Sequence, residues 1–177
     1  MPPMATAMRG GVFAGAVDIN NAVIDAIEWQ DTRHIVQIAG GSGSLLAAIL
    51  RRLPDATGVL FDRPEIVAEA GPTLYAAGVA DRVDCASGVL ARDIPPGGDL
   101  YVAAKAFGGW ADNHVLTLLR RCREVLAPSA RLVIAEPTGA PRRSCSDWRD
   151  LLHLAGFRPS CVTGTAYDWC VIESRPE

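Results

Sequence analysis

Residues 34–67, HIVQIAGGSGSLLAAILRRLPDATGVLFDRPEIV, decide the fold. His34-Ile35-Val36-Gln37-Ile38-Ala39 is a short, nearly continuous apolar run that reads as a buried strand. It ends on Gly40-Gly41-Ser42-Gly43, and a helix follows at once from Ser44 through Leu45, Leu46, Ile49 and Leu50 to Leu53, with Pro54 as its stop. Residues 58–61 form a second buried strand that ends at Asp62, and Pro64 opens the next helix. A strand, a crossover helix and a second strand make the unit from which parallel sheets are built.

The same alternation continues in both directions. Upstream, Asp18 and Asn20 are placed to cap a helix carrying Val23, Ile24 and Ile27, and residues 1–17 read as a flexible tail. Downstream, Pro72 interrupts the helix begun at Pro64, which ends near Gly78. Residues 83–86 and 100–107 are the third and fourth strands, 112–126 a long amphipathic helix, 131–136 a fifth strand and 147–155 a last helix. Residues 158–163 and 168–174, joined through Thr163-Gly164-Thr165, read as an antiparallel hairpin. The expectation is one α/β domain over residues 18–177, an open, mostly parallel sheet with helices on both faces. At 177 residues such a domain buries about 70% of its surface, enough for a core without metal or disulfide staples.

Composition excludes several classes of function. A net charge of −3 and a pI near 5.6 do not suit a general nucleic-acid binder. No apolar run is long enough for a membrane span, and the N-terminus does not read as a signal peptide. The five cysteines (85, 122, 145, 161 and 170) include no C-x-x-C pair, and only three histidines accompany them, so a zinc site is not indicated. Free thiols in the cytoplasm are the expectation.

Ligands of such sheets lie beyond the carboxyl ends of the strands, where strand order reverses. Glycines at 40, 41 and 43 let backbone approach a ligand closely, and the helix behind them offers free N–H groups. Leu46 occupies the last position of a full G-x-G-x-x-G, so the loop alone is a weak signal. Asp62, about 20 residues on, adds weight: a carboxylate there accepts both hydroxyls of a ribose, or else caps the helix at Pro64.

With these residues in view, the chain resembles the catalytic domain of the S-adenosylmethionine-dependent O-methyltransferases of the plant and actinobacterial natural-product type. The matching stretches are 36–67, GVADRV (78–83), IPPGGDLYVAAKAFGGWADNHVLTLLRRCREVLAP (94–128), RLVIAEP (131–137) and LLHLAGF (151–157). The resemblance implies a class I methyltransferase sheet, S-adenosyl-L-methionine as cofactor and a small-molecule acceptor. It also implies roles for single residues. Gly41 and Gly43 would lie under the methionine part of the cofactor, and Asp62 would hold its ribose. Gly88 marks the adenine end, Lys105 (the sole lysine) stands near the cofactor, and Trp110 packs on adenine or is an ordinary core aromatic. Glu136 matches a carboxylate that flanks the catalytic histidine in the plant enzymes.

Departures from the family pattern fall on functional positions. Gln37 stands where the family commonly has an acid, Val89 replaces its adenine-contacting acid, and Arg63 replaces an apolar residue. Leu-His-Asp-Trp becomes Phe107-Gly108-Gly109-Trp110, so Gly108 occupies the place of the histidine that takes the substrate's proton. His34, His114 and His153 are not placed to replace it. The family's N-terminal dimerisation domain is expected to be absent, and the stretch 137–147 is shortened. A homo-oligomer or a partner protein would cover the face so exposed. Three readings follow: an O-methyltransferase without its histidine, an enzyme repurposed for cyclisation or rearrangement, or a non-catalytic binding or partner subunit.

Overall fold

The computed structural model describes residues 19–139, 142–164 and 168–177. Its elements are α1 (Ile19–Asp25), β1 (His34–Ile38), α2 (Ser44–Arg52), β2 (Thr57–Asp62), α3 (Pro64–Val67), α4 (Gly71–Ala76), β3 (Val83–Ser87), β4 (Leu100–Ala104), α5 (Asp112–Val125), β5 (Arg131–Pro137), α6 (Cys145–Leu154), β6 (Phe157–Gly164) and β7 (Trp169–Pro176). The expected tail, residues 1–17, and the cap at Asp18 lie outside the described residues, as does Thr165 of the expected connection, whose Thr163 and Gly164 belong to β6.

All seven strands form one sheet in the order β3-β2-β1-β4-β5-β7-β6. Neighbours from β3 to β5 are parallel, whereas β7 runs antiparallel to both β5 and β6. This is the class I methyltransferase sheet, as expected. Alternation along the strands sends side chains to opposite faces. Val36, Ile38, Tyr101, Ala103, Leu132 and Ile134 pack with Leu118 and Leu119 of α5 and Leu152 of α6. Ile35, Leu60, Leu100, Val102 and Val133 pack on the other face with Val23 of α1 and Leu46, Ile49 and Leu50 of α2.

The differences from expectation are local. Strand β4 stops at Ala104 rather than 107, because Lys105 turns into the left-handed region at φ 54°. Pro72 lies in the first turn of a separate helix, α4, where its missing N–H costs nothing. Helix α6 begins two residues early because Ser144 and Asp147 form a capping box. The expectation of five free thiols is also corrected: Cys145, opening α6, and Cys170 on β7 are joined as a disulfide, their Cα atoms 5.6 Å apart. Cys85 is free and exposed, while Cys122 is free and buried. Among the described residues, no helix is long and apolar enough to cross a membrane.

Candidate functional site

Strand order reverses between β1 and β4, and at that seam the backbone leaves its ordinary range on both sides. Ala39 follows β1 at φ 53° and Lys105 follows β4 at φ 54°, both left-handed without being glycine. Strain of this kind persists only where surrounding structure enforces it, most often at ligand sites.

Beyond Ala39 the glycine loop is pinned to β2. The Gly40 N–H donates to Phe61 O at 3.3 Å, and a Cβ on Gly40 would stand 2.2 Å from Leu60 Cδ1. Gly41, at φ 57°, faces the other way: a Cβ there would meet nothing within 4 Å. Gly43 (φ 78°) is the N-cap of α2 and turns toward Leu74 and Leu60, so it shapes the loop from behind. No side chain at the cap serves the helix; instead, the Leu46 N–H donates to Gln37 Oε1 at 3.1 Å. The residue that departs from the family's acid thus supplies the missing cap from inside β1.

Asp62 closes β2 and is buried, at 6% exposed. Its Oδ2 accepts the Gly41 N–H at 2.9 Å and its Oδ1 the Arg63 N–H at 2.7 Å. The helix-capping alternative is not what forms: the N-cap of α3 is Arg63, with no side-chain cap bond. The Asp62 carbonyl accepts the Gly88 N–H at 3.1 Å, tying in the turn after β3. Two recesses flank this point. One, about 360 Å³, lies between Gly40, Gly41 and Gln37 on one side and Ala104, Lys105 and Trp169 on the other. Lys105 Nζ stands 5.2 Å from the Trp169 ring centroid. The second, about 500 Å³, is lined by Arg63, Gly88, Val89, Leu90, Asp93 and Trp110, among others.

Asp93 gave no signal in the sequence. Its Oδ2 accepts the Val89 N–H at 2.9 Å, and Arg92 binds it at 2.8 Å. The Arg92 guanidinium above all holds its carboxyl down at about 2. A fixed anion therefore stands four residues from Val89, where the family's acid is missing.

The third cavity lies beyond β4 and β5. It measures about 540 Å³, and Phe107, Gly108, Trp110, Glu136, Arg143 and Trp148 are among its walls. Phe107 meets Trp110 edge-on at 5.9 Å and Trp148 at 5.2 Å, and the Arg143 guanidinium lies 5.1 Å from the Trp148 ring centroid. The buried Trp148 Nε1–H has no partner among the described residues. Glu136 is 4% exposed, and its Oε1 accepts both the Ala106 N–H (2.6 Å) and the Phe107 N–H (3.2 Å). Burial pushes its carboxyl above the ordinary range, against the two backbone bonds and the nearby Arg143 and Lys105 charges. Gly108 opens on empty space, with nothing within 4 Å of where a Cβ would lie.

None of the three histidines lines this cavity. His34 bonds Thr57 Oγ1 at the other end of the sheet, and His153 lies 3.8 Å from Glu177. His114 is exposed beside a separate recess that it shares with Gly109 and Trp110.

A family model for the O-methyltransferase domain matches residues 14–147. The chain belongs to the S-adenosylmethionine-dependent O-methyltransferase family. It is 30% identical to the phenazine O-methyltransferase PhzM of Lysobacter antibioticus, over 89% of this chain and 52% of that protein. It is 34% identical to the aclacinomycin 10-hydroxylase RdmB of Streptomyces purpurascens, over 65% of this chain and 31% of that one. The crystal structure of LaPhzM superimposes with a TM-score of 0.82 at 30% identity, covering 90% of this chain and 54% of the other. The chain therefore spans about half the length of the relatives it matches.

The residues of this O-methyltransferase domain fit the family's cofactor in three respects. The space over Gly41 is open, Asp62 holds a carboxylate against that same loop, and Gly88 and Trp110 border the next recess. Gln37 and Gly43 take part in the loop's own construction.

Proposed function

We propose that this protein transfers a methyl group from S-adenosyl-L-methionine to a hydroxyl of a small natural-product-type acceptor, without the family's histidine. The observation that carries the reading is that Gly41 and Lys105 line one recess at the strained seam between β1 and β4, with the Asp62 carboxylate bonded to the Gly41 N–H from the end of β2. When bound, S-adenosylmethionine supplies a methyl group already activated on a positive sulfur.

Each protein group then has a positioning role. Gly41 leaves its backbone bare for close approach, and Asp62 accepts the ribose hydroxyls with its remaining lone pairs. Gly88 and Trp110 border the adenine end, and Lys105 borders the methionine end. The cavity of Phe107, Trp110 and Trp148 offers flat apolar walls to the acceptor, and alignment there supplies much of the rate. The setting we propose is cytoplasmic, although the Cys145–Cys170 bridge is a feature rare in that compartment. A second copy or a partner chain would cover the open side of the acceptor cavity.

A second reading has one observation behind it. A relative is a 10-hydroxylase, and here Gly108 has removed the histidine, which suits a fold turned to another reaction such as a cyclisation or rearrangement. The third, a non-catalytic partner subunit, calls for an exposed apolar face. The exposed large hydrophobics among the described residues are Tyr75, Val89 and Leu154, at three separate places in the chain.

Calorimetric titration with S-adenosylmethionine and its demethylated product tests the proposal, followed by an acceptor screen read by mass spectrometry. Saturable micromolar binding and a methylated product are expected. Binding without any methylated product would favour the second reading, and no binding at millimolar ligand would sink both.

A further inference from the structure

We propose that Glu136 is itself the proton acceptor for the substrate hydroxyl, working through the opening that Gly108 leaves. This rests on the methyl-transfer reading and goes beyond it, since family resemblance makes this acid only a flank to a histidine.

Geometry supports the assignment. Both bonds to Glu136 fall on Oε1, from the backbone N–H groups of Ala106 and Phe107, so the carboxylate is fixed one residue from Gly108. Oε2 has no hydrogen bond among the described residues, and the group lines the cavity. A histidine ring at 108 would stand between this acid and an acceptor; with glycine there, a hydroxyl or a single water comes within reach of Oε2. The other acid in the cavity, Asp112, is engaged by Arg143 at 2.7 Å. The unpartnered Trp148 Nε1–H is a second polar group in the same walls, suited to an oxygen of a bound ligand.

The step balances without another reagent. The hydroxyl O–H bond breaks and its proton passes to Oε2, while the oxygen forms a bond to the methyl carbon. S-adenosylmethionine, when bound, would give up the methyl group and keep the electron pair on its sulfur, and Glu136 later returns the proton to water. The ionisable groups around Glu136 are Lys105, Asp112, Arg142 and Arg143, and two of these, Arg143 and Lys105, favour its charged form. Burial opposes them, which brings its proton affinity nearer to that of a useful base.

Glu136→Gln is the test variant, because a Gln carbonyl can still accept both backbone N–H groups. Gly108→His is its counterpart, since the space is open and Gly108 is not among the left-handed glycines. The first readout needs no cofactor. 4-Nitrophenol bound to the wild-type protein should turn to its coloured phenolate about one pH unit or more higher than when bound to Glu136→Gln, because an adjacent carboxylate repels the phenolate. The second readout is methyl transfer to a panel of phenols. Glu136→Gln should lower kcat by about 10²-fold or more and remove the acid limb of the pH profile, and adding Gly108→His should recover about tenfold. A 4-nitrophenol transition at the same pH in both proteins, or no binding of this phenol at all, overturns the inference. So does an acid limb that persists in Glu136→Gln. A shifted transition with no methyl transfer in the wild type would instead retain the proton contact and sink the methyl-transfer reading.

Discussion

Replacing Asp62 probes cofactor binding and loop construction together, and the two effects separate by choice of substituent. The carboxylate accepts the Gly41 N–H at 2.9 Å and the Arg63 N–H at 2.7 Å. Asp62→Ala strands both donors. A buried donor left unsatisfied costs about 1–3 kcal/mol; with these two only part buried, about 2–4 kcal/mol for the pair is expected. Over 177 residues the unfolding entropy is about 0.4 kcal/mol/K, so Tm should fall by about 5–10 °C. Asp62→Asn keeps one carbonyl oxygen for one donor and should lose about half as much. Hydrogen bonds to a charged group contribute about 1.5 kcal/mol each at the low end. For two ribose hydroxyls that is about 3 kcal/mol, about a hundredfold in Kd, and Asp62→Asn forfeits it with the loop largely intact. Thermal melts of the unliganded proteins and calorimetric titration with S-adenosylmethionine measure both. Wild-type affinity in Asp62→Asn would remove the ribose role, and a wild-type melt in Asp62→Ala would show that the loop does not hang on this carboxylate.

Arg131 is 8% exposed and reaches Glu28 O and Thr32 Oγ1 at 2.7 Å as well as Glu173 at 3.2 Å. Arg131→Met should therefore cost about 3–5 kcal/mol, lowering Tm by about 8–13 °C in a melt; an unchanged Tm would show that the buried pair adds nothing. Burial raises the Glu136 pKa in the folded protein, so its linked stability is complete below the ordinary carboxylate range and lost as pH rises through the raised value. Glu136→Gln should accordingly melt above the wild type at neutral pH and converge with it in acid, and a constant difference across pH would contradict the shift. Alkylation of the native protein should label exposed Cys85 and spare Cys122, whose thiol burial pushes up to about 12. Labelling after denaturation should gain two sites on reduction, at Cys145 and Cys170, and no gain would mean the bridge is absent.

The parallel core was legible because β1, β2, β4 and β5 are buried nearly throughout, so each stands out as an apolar run between turn residues. Ser144 and Asp147 did carry a readable signal, a capping box with its two members three residues apart, that places the start of α6. Lys105 carried none: an ordinary lysine gives no hint that its backbone will turn left-handed and end β4 early. Nor does spacing reveal that Cys145 meets Cys170, because pairing depends on where α6 docks on β7. Among the candidate site residues, Gly41 and Asp62 are marked by a motif spacing. Gln37, Asp93 and Trp148 act through contacts that no local pattern encodes.

The departures from the family pattern are absorbed unequally. Gln37 in place of an acid still accepts a hydrogen bond, and the fold spends that bond on the N-terminus of α2. Val89 leaves its neighbourhood without the expected acid, yet Asp93 returns a fixed carboxylate to the same recess. Arg63 pairs with Glu65 at 3.3 Å and lines the same recess. Only at Gly108 does no side chain move in, and the space stays open beside an acid whose second oxygen is unengaged. Around Gln37 and Val89 a polar group therefore remains at hand, whereas the opening at Gly108 changes which group an acceptor would meet on the proposed reading. On the methyl-transfer reading proposed above, the cavity at Glu136 is where acceptor specificity is to be sought.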